Sequence, residues 1–187
     1  MTEARFDVVG IGNAIVDILA QADDVFLSKH DAPKGTMIWV DENQSEAMYN
    51  DVGPAVEVSG GSAANTMAGI ASFGGKPAFI GKIKDDQLGK TFAHDIRAVG
   101  VHFESQALTE GLATARCIIL ITPDAQRTMF TYLGASGSLH ADDMDDDLIT
   151  DSQILYIEGY QWDLPETKKA IISACETAAN AGRKVAL

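Results

Sequence analysis

The sequence has little positive charge and very little cysteine. Its 187 residues include 14 lysines and arginines against 27 aspartates and glutamates, for a formal net charge of −13. Binding to nucleic acid requires clustered cations that displace counterions from phosphates, so this balance argues against a nucleic-acid partner. The two cysteines, Cys117 and Cys175, lie in apolar segments without a CxxC or Cys/His cluster. This spacing argues against a disulfide scaffold and against a structural zinc site, and we predict no metal ligands.

Long hydrophobic runs and targeting signals are also missing. No stretch approaches the roughly 18 consecutive apolar residues of a membrane-spanning helix. The N-terminus has neither the basic segment nor the long apolar core of a signal peptide. We therefore predict a cytoplasmic protein with no membrane partner. Hydrophobic residues still make up 46% of the chain, which is enough to form a sizeable core.

What the sequence does contain is an alternation of strand-like and helix-like segments. The apolar run Phe6 to Ile11 predicts a buried strand that ends among glycines. Helices are predicted over about 62–73 and 87–99, separated by a strand over 78–83. This alternation predicts an α/β fold with a mainly parallel sheet.

Two segments interrupt that alternation. Residues 18–59 are irregular and punctuated by proline and glycine, with a strand predicted at Met37 to Val40 and a short helix at Asp41 to Asp51. Residues 115–122 and 127–133 are two consecutive strand-like runs that predict a hairpin.

The last third returns to strand and helix. A strand is predicted over 154–157 and a helix from Pro165, with Asp163 and Glu166 as its capping box. The final residues, 183–187, resemble the opening of a further strand. We expect the chain to be the N-terminal part of a longer protein.

The first strand leads into a glycine-containing turn with polar residues. Gly10 and Gly12 resemble the start of a dinucleotide-binding GxGxxG motif, but Ile15 stands where the third glycine is needed. What remains is a polar pair, Asn13 and Asp17, at the mouth of a buried strand. Spacing alone leaves three interpretations of Asp17: a solvent-facing residue, a local cap or a ligand contact.

A second candidate site begins at a glycine pair. Gly60 and Gly61 enter a helix of small residues through Ser62, and Asn65 lies in its first turn. Backbone without Cβ lets a ligand approach closely, and the free N–H groups of a helix N-terminus favour an oxygen-rich ligand. The alternative for Ser62 is a purely structural N-cap.

Together these motifs resemble a known family. The strings Gly60-Gly61-x-x-x-Asn65, Phe73-Gly74 and Gly81 followed by Asp86-x-x-Gly89 are similar to the N-terminal signature of ribokinase-like (PfkB-type) carbohydrate kinases. Within that family, Gly12-Asn13-x-x-x-Asp17 and the GGSAANT string most resemble adenosine kinases. The resemblance implies a three-layer α/β core from residues 1–17, 60–110 and 134–187, with a small β lid from 18–59 and 111–133.

The resemblance also implies a site. Asp17 would accept hydrogen bonds from two ribose hydroxyls, and Asn13, Gly61 and Asn65 would complete the diol site. A carboxylate suits this role because it only accepts hydrogen bonds. The remaining residues implied to contact substrate are Met37, Gly60, Ser62, Met129, Thr131 and Leu133.

The second hairpin strand carries the charge expected at the transferred phosphate. Alternation along it places Arg127, Met129, Thr131 and Leu133 on one face, and Thr128, Phe130 and Tyr132 on the other. By resemblance, Arg127 stabilises the phosphate and Met129 packs on the base; the alternative is a lid-core methionine and a solvated arginine. Trp39 and Tyr160 are candidates for stacking on a purine, or else packing residues.

The implied activity is ATP-dependent phosphorylation of the 5′-hydroxyl of adenosine to give AMP. ATP and Mg²⁺ are the implied cofactors, but the family's glycine-rich aspartate string, which supplies the catalytic base, is absent from this sequence, as are the ATP-binding and magnesium-associated segments. We therefore expect these 187 residues alone to be inactive. A sugar kinase of the same family and a non-catalytic nucleoside-binding fragment remain alternatives. The implied partner is a small nucleoside or sugar, and the implied state is a monomer or a lid-mediated homodimer.

Overall fold

The computed structural model describes residues 4–187, and these residues form two β-sheets with helices packed between and around them. The strands are β1 (Phe6–Ile11), β2 (Ile15–Gln21), β3 (Met37–Trp39), β4 (Ala55–Gly60), β5 (Pro77–Ile80), β6 (Ala115–Ile121), β7 (Arg127–Tyr132), β8 (Ser152–Ile157) and β9 (Lys184–Ala186). The α-helices are α1 (Asp24–Lys29), α2 (Glu42–Asp51), α3 (Ser62–Ser72), α4 (Gln87–Ala98), α5 (Asp146–Thr150) and α6 (Pro165–Asn180).

The first sheet is entirely parallel, with strand order β5-β1-β8-β9. One of its faces packs with α3 and α4 through residues such as Met67, Phe79 and Phe92. Its other face packs against α5 and α6, where Ile149 and Ile171 belong to a second apolar cluster. The predicted three-layer α/β core with a mainly parallel sheet is thus confirmed.

The second sheet is mixed, with strand order β3-β7-β6-β2-β4. β2 pairs parallel with β6 and antiparallel with β4, while β6 and β7 form the predicted antiparallel hairpin. One face contributes Val16, Ile118 and Phe130 to the same core as α3 and α4. The opposite face carries a smaller apolar cluster around Ile15 and Cys117, and it borders the cavity described below.

Several local predictions need correction. Residues 18–59 are more regular than their punctuation indicates, because β2 and β4 were missed. β2 carries apolar residues on both of its faces, so its sequence lacks the polar–apolar alternation that marks a half-buried strand. The capping box predicted at Asp163 and Glu166 is wrong: Leu164 is the N-cap of α6 and makes no side-chain cap, while Pro165 occupies the first turn.

The predicted division into core and lid stays a prediction. Strand β2 runs across the boundary proposed at residue 17, and β4 ends at the boundary proposed at residue 60. None of the helices in residues 4–187 combines the length and apolarity needed to span a bilayer.

Candidate functional site

A cavity of about 300 Å³ lies between the open face of the second sheet and the N-terminus of α3. We call it the Asp17 cavity. Of the residues predicted from the sequence, it gathers Asn13, Asp17, Met37, Trp39, Gly61, Ser62, Asn65, Arg127, Met129, Thr131, Leu133 and Tyr160. Gly60 is the predicted residue that does not line it. Residues far apart in sequence therefore meet at one surface, because the ends of β1 and β8 in the first sheet lie beside the open face of the second sheet.

Asp17 lies on β2 and not on a helix or turn. It pairs with Cys117 of β6 on one side and with Val58 of β4 on the other, so its side chain faces the cavity from the middle of the sheet. Burial raises the pKa of its carboxyl to about 6. No donor within residues 4–187 hydrogen-bonds to this carboxylate. A half-buried carboxylate without a partner is costly, so a donor brought by a ligand would stabilise it.

The glycine pair explains how the backbone reaches the cavity. A Cβ at Gly60 would lie 2.3 Å from the Asp17 carboxylate carbon, and a Cβ at Gly61 would lie 2.4 Å from the backbone oxygen of Asn13. Gly61 also has φ +93°, a conformation that disfavours any side chain, and it is the N-cap of α3. Gly60 thus contributes by leaving room for Asp17, although it does not line the cavity itself.

We expect Gly60→Ala to weaken ligand binding in the Asp17 cavity by about tenfold or more, because the added methyl displaces the carboxylate. Thermal unfolding should show a loss of roughly 1–3 kcal/mol from the same overlap. Gly53→Ala is the matched control, since a Cβ there meets nothing within 4 Å. Equal effects of the two substitutions on binding would contradict the role given to Gly60.

Glu158 is a buried residue of the cavity that the sequence analysis missed. It is 5% exposed and follows the last residue of β8. One carboxylate oxygen accepts from the backbone N–H of Asn13 at 2.7 Å; the other accepts from the backbone N–H of Ala63 at 3.0 Å and from the hydroxyl of Ser62. Glu158 therefore ties the end of β1 to the N-terminus of α3. The available signal was its place directly after a buried strand, which is also how Asn13 was found.

This contact changes the interpretation of Ser62. The hydroxyl makes no N-cap bond, since Gly61 is the N-cap, and it donates to Glu158 instead. The first-turn N–H of Ala63 is likewise committed to that carboxylate. The negative charge that the start of α3 favours is thus supplied from within the protein. Asn65, one turn later, makes no side-chain hydrogen bond within residues 4–187 and faces the same cavity as Asp17.

The hairpin supplies one cation, Arg127, and the apolar side chains Met129 and Leu133, which begin what we call the apolar wall of the cavity. Arg127, Met129, Thr131 and Leu133 all line the cavity, whereas Thr128, Phe130 and Tyr132 are buried on the opposite side, as alternation predicted. β3 pairs with β7 and adds Met37 and Trp39 to the wall.

Cys117 of β6 also lines the cavity, and its thiol lies 3.4 Å from the Thr131 hydroxyl. Burial raises the pKa of this thiol to about 11, so it is an apolar wall residue and not a nucleophile.

The two candidate stacking residues lie at the rim. Trp39 is 53% exposed on β3, and Tyr160 is 61% exposed in the 3₁₀ turn Gly159–Asp163. Both border the cavity from different sides, with one face open to solvent. Their aromatic surfaces are available to a ligand and are not committed to core packing.

The cavity residues differ in how well they suit a phosphate group and a metal ion. Arg127 is the cation among the cavity-lining residues, which suits one negatively charged group. Across residues 4–187, no group of three or more His, Cys, Asp or Glu side chains could hold a metal ion. Glu158 is already satisfied by Asn13, Ser62 and Ala63. The described residues therefore fit an anion contact and contain no cluster of three such metal ligands.

Comparison with known proteins identifies relatives along most of the chain. A family profile described as "pfkB family carbohydrate kinase" matches residues 35–187. The solved structure of an adenosine kinase from Sinorhizobium meliloti is 49% identical, with a TM-score of 0.89 over 97% of this chain and 56% of that one. A probable sugar kinase from Rhizobium etli is 44% identical, with a TM-score of 0.88 over 97% of this chain and 55% of that one.

The name of another relative indicates a different phosphate acceptor. A probable chloroplastic fructokinase from Arabidopsis thaliana is 31% identical over 125 residues, which are 66% of this chain and 33% of that protein. The chain thus spans about half the length of the two solved relatives and a third of this one.

Proposed function

The chain belongs to the pfkB family of carbohydrate kinases, and on that premise we propose that it is the acceptor-binding part of an ATP-dependent kinase that phosphorylates the 5′-hydroxyl of adenosine. The observation that carries the proposal is Asp17, a partnerless carboxylate in the same cavity as an extended apolar wall. A vicinal diol supplies the two O–H donors that such a carboxylate lacks. A purine supplies the flat apolar surface that the wall can cover.

The acceptor is bound by residues from both sheets. Asp17 accepts from the ribose hydroxyls, while Asn13 and Asn65 contact the same end of the nucleoside. Met37, Trp39 and Met129 pack against the base, with Tyr160 at the opposite rim. Arg127 is the charge available to the transferred phosphate. The identity of 49% with an adenosine kinase supports this acceptor.

Catalysis needs groups beyond those described. ATP supplies the phosphoryl group, and family resemblance implies Mg²⁺ and a catalytic aspartate in a glycine-rich segment of a longer chain. Asp17 is engaged by the diol and Glu158 by its three donors, so neither is free to act as general base. We accordingly propose that residues 1–187 alone bind adenosine but do not phosphorylate it. We also propose a cytoplasmic location, with which the unpaired Cys117 and Cys175 are consistent. The proposed oligomeric state is a monomer or a homodimer paired through the lid.

A sugar kinase is the second candidate. The relatives named as a fructokinase and a probable sugar kinase favour it, because the same diol site would hold a furanose without a base. The size of the apolar wall separates the two candidates: a sugar alone would leave Met37, Trp39 and Met129 uncovered.

Titration calorimetry with a panel of acceptors tests the proposal. We expect adenosine to bind, 2′-deoxyadenosine to bind about tenfold more weakly because one O–H donor is lost, and ribose to bind much more weakly because the base is lost. Fructose binding without adenosine binding would favour the sugar kinase. Binding of neither would contradict both candidates. Formation of AMP from adenosine and ATP by the 187-residue chain would contradict the assignment of catalysis to other segments.

A further inference from the structure

Gln161 is a buried amide that lies behind the Asp17 cavity without lining it. It is 2% exposed, in the 3₁₀ turn Gly159–Asp163 that follows β8. Its side-chain Nε2 donates to Oδ1 of Asn13 at 3.0 Å, and both residues are buried. Gln161 has no role in the proposed diol site, yet it hydrogen-bonds to Asn13, which is part of that site.

Asn13 is held from two directions by the segment after β8. Glu158 accepts from its backbone N–H at 2.7 Å, which fixes the main chain, and Gln161 donates to its side-chain oxygen. A side-chain amide has one carbonyl oxygen and one NH₂ group. With the oxygen committed, Nδ2 is the polar atom left, and it makes no hydrogen bond within residues 4–187. Asn13 is 6% exposed and is one of the residues that line the cavity.

We propose that Gln161 is a positioning residue that fixes the Asn13 amide with its NH₂ group directed at the acceptor. This inference rests on the proposed function. A ribose hydroxyl that donates a hydrogen bond to Asp17 keeps its oxygen lone pairs, and these need a donor. The NH₂ of Asn13 is such a donor. In the reverse orientation the carbonyl oxygen of Asn13 would face those lone pairs and repel them.

A double-mutant cycle tests the inference, with adenosine as the probe in titration calorimetry. Gln161→Met keeps the side-chain length and removes the donor. We expect it to weaken adenosine binding by about tenfold, because the Asn13 amide is no longer held in one orientation. In the Asn13→Ala background the same substitution should change affinity by less than about twofold, since Gln161 then has nothing to orient. An equal loss in both backgrounds, or no loss in either, overturns the proposal.

The matched control is Gln153→Met. Gln153 is an exposed glutamine on β8 whose Nε2 donates to Asp7 at 3.1 Å. Like Gln161 it loses one amide donor on substitution, but it makes no hydrogen bond to Asn13. It should leave adenosine affinity unchanged. If Gln161→Met does not fold, Gln161→Leu removes the same donor with a similar volume.

A second measurement needs no ligand and separates this inference from the proposed function. In the free protein, the side-chain amide signals of Asn13, assigned by their loss in Asn13→Ala, should shift in Gln161→Met and not in Gln153→Met. Unshifted signals overturn the inference. If wild-type protein fails to bind adenosine, the proposed acceptor is wrong, and these amide signals still decide the role of Gln161.

Discussion

Replacing Asp17 with asparagine should weaken adenosine binding by about 100-fold or more, because two hydroxyl donors would lose their charged acceptor. Asparagine has nearly the same shape, so the loss reports on charge and acceptor capacity rather than on packing. The exposed Asp142→Asn is the control and should bind as wild type does. Unchanged adenosine affinity in Asp17→Asn would remove the basis of the proposed function.

The same substitution should stabilise the free protein at neutral pH. The pKa of Asp17 is raised to about 6 by burial, so the folded state holds the proton more tightly than the unfolded chain does. Wild-type stability therefore falls as pH rises from about 4 through about 6, where the buried group becomes charged. We expect the free energy of unfolding of Asp17→Asn, measured by urea titration, to exceed that of wild type by about 1–2 kcal/mol near pH 7.5. The difference should vanish below about pH 4.

Ligand binding should have the opposite pH dependence. The diol needs the ionised carboxylate, so adenosine affinity should fall as pH drops through about 6. Asp17→Asn should lose this dependence. A variant that is both weaker in binding and no more stable than wild type at neutral pH would indicate that the carboxylate is not held in a costly, partnerless state.

Glu158→Ala should be among the most destabilising single changes in the described residues. It removes the acceptor shared by Asn13, Ser62 and Ala63, and it leaves two buried backbone N–H groups unpaired. We expect a loss of about 3 kcal/mol or more in the free energy of unfolding, measured by urea titration. Adenosine binding should fall as well, because the end of β1 and the start of α3 are no longer tied together.

Two further variants separate charge from volume. Glu158→Gln keeps the size but places an NH₂ group against donors, so an intermediate loss is expected. Glu110→Ala removes an exposed glutamate that makes no hydrogen bond or ion pair within residues 4–187, and it should change stability by less than about 0.5 kcal/mol. A loss no larger for Glu158→Ala than for Glu110→Ala would contradict the tying role.

Local patterns were sufficient for much of the fold. The buried strand at Phe6, the helices starting at Ser62 and Gln87, and the hairpin after Ala115 follow from apolar periodicity and from glycine at their ends. β2 and β4 were missed for a physical reason. β2 carries apolar residues on both faces, so its sequence shows little alternation, and Asp17 among them resembles a turn residue. In β4 the usual pattern is reversed, because Val56 and Val58 are exposed while Glu57 between them is half-buried.

The sequence by itself determined the kinds of elements, the face that each hairpin residue occupies and the glycines at which the chain must turn, because these depend on neighbours within a few positions. The pairing of Glu158 with Asn13 and α3, the contact of Gln161 with Asn13 and the burial that raises the pKa of Asp17 were decided only by the tertiary structure. The two contacts join residues about 100 or more positions apart, and the pKa of Asp17 depends on what covers its side chain. No local sequence pattern encodes either kind of information. A carboxylate acquires its role here from the donors that the fold brings to it or withholds from it.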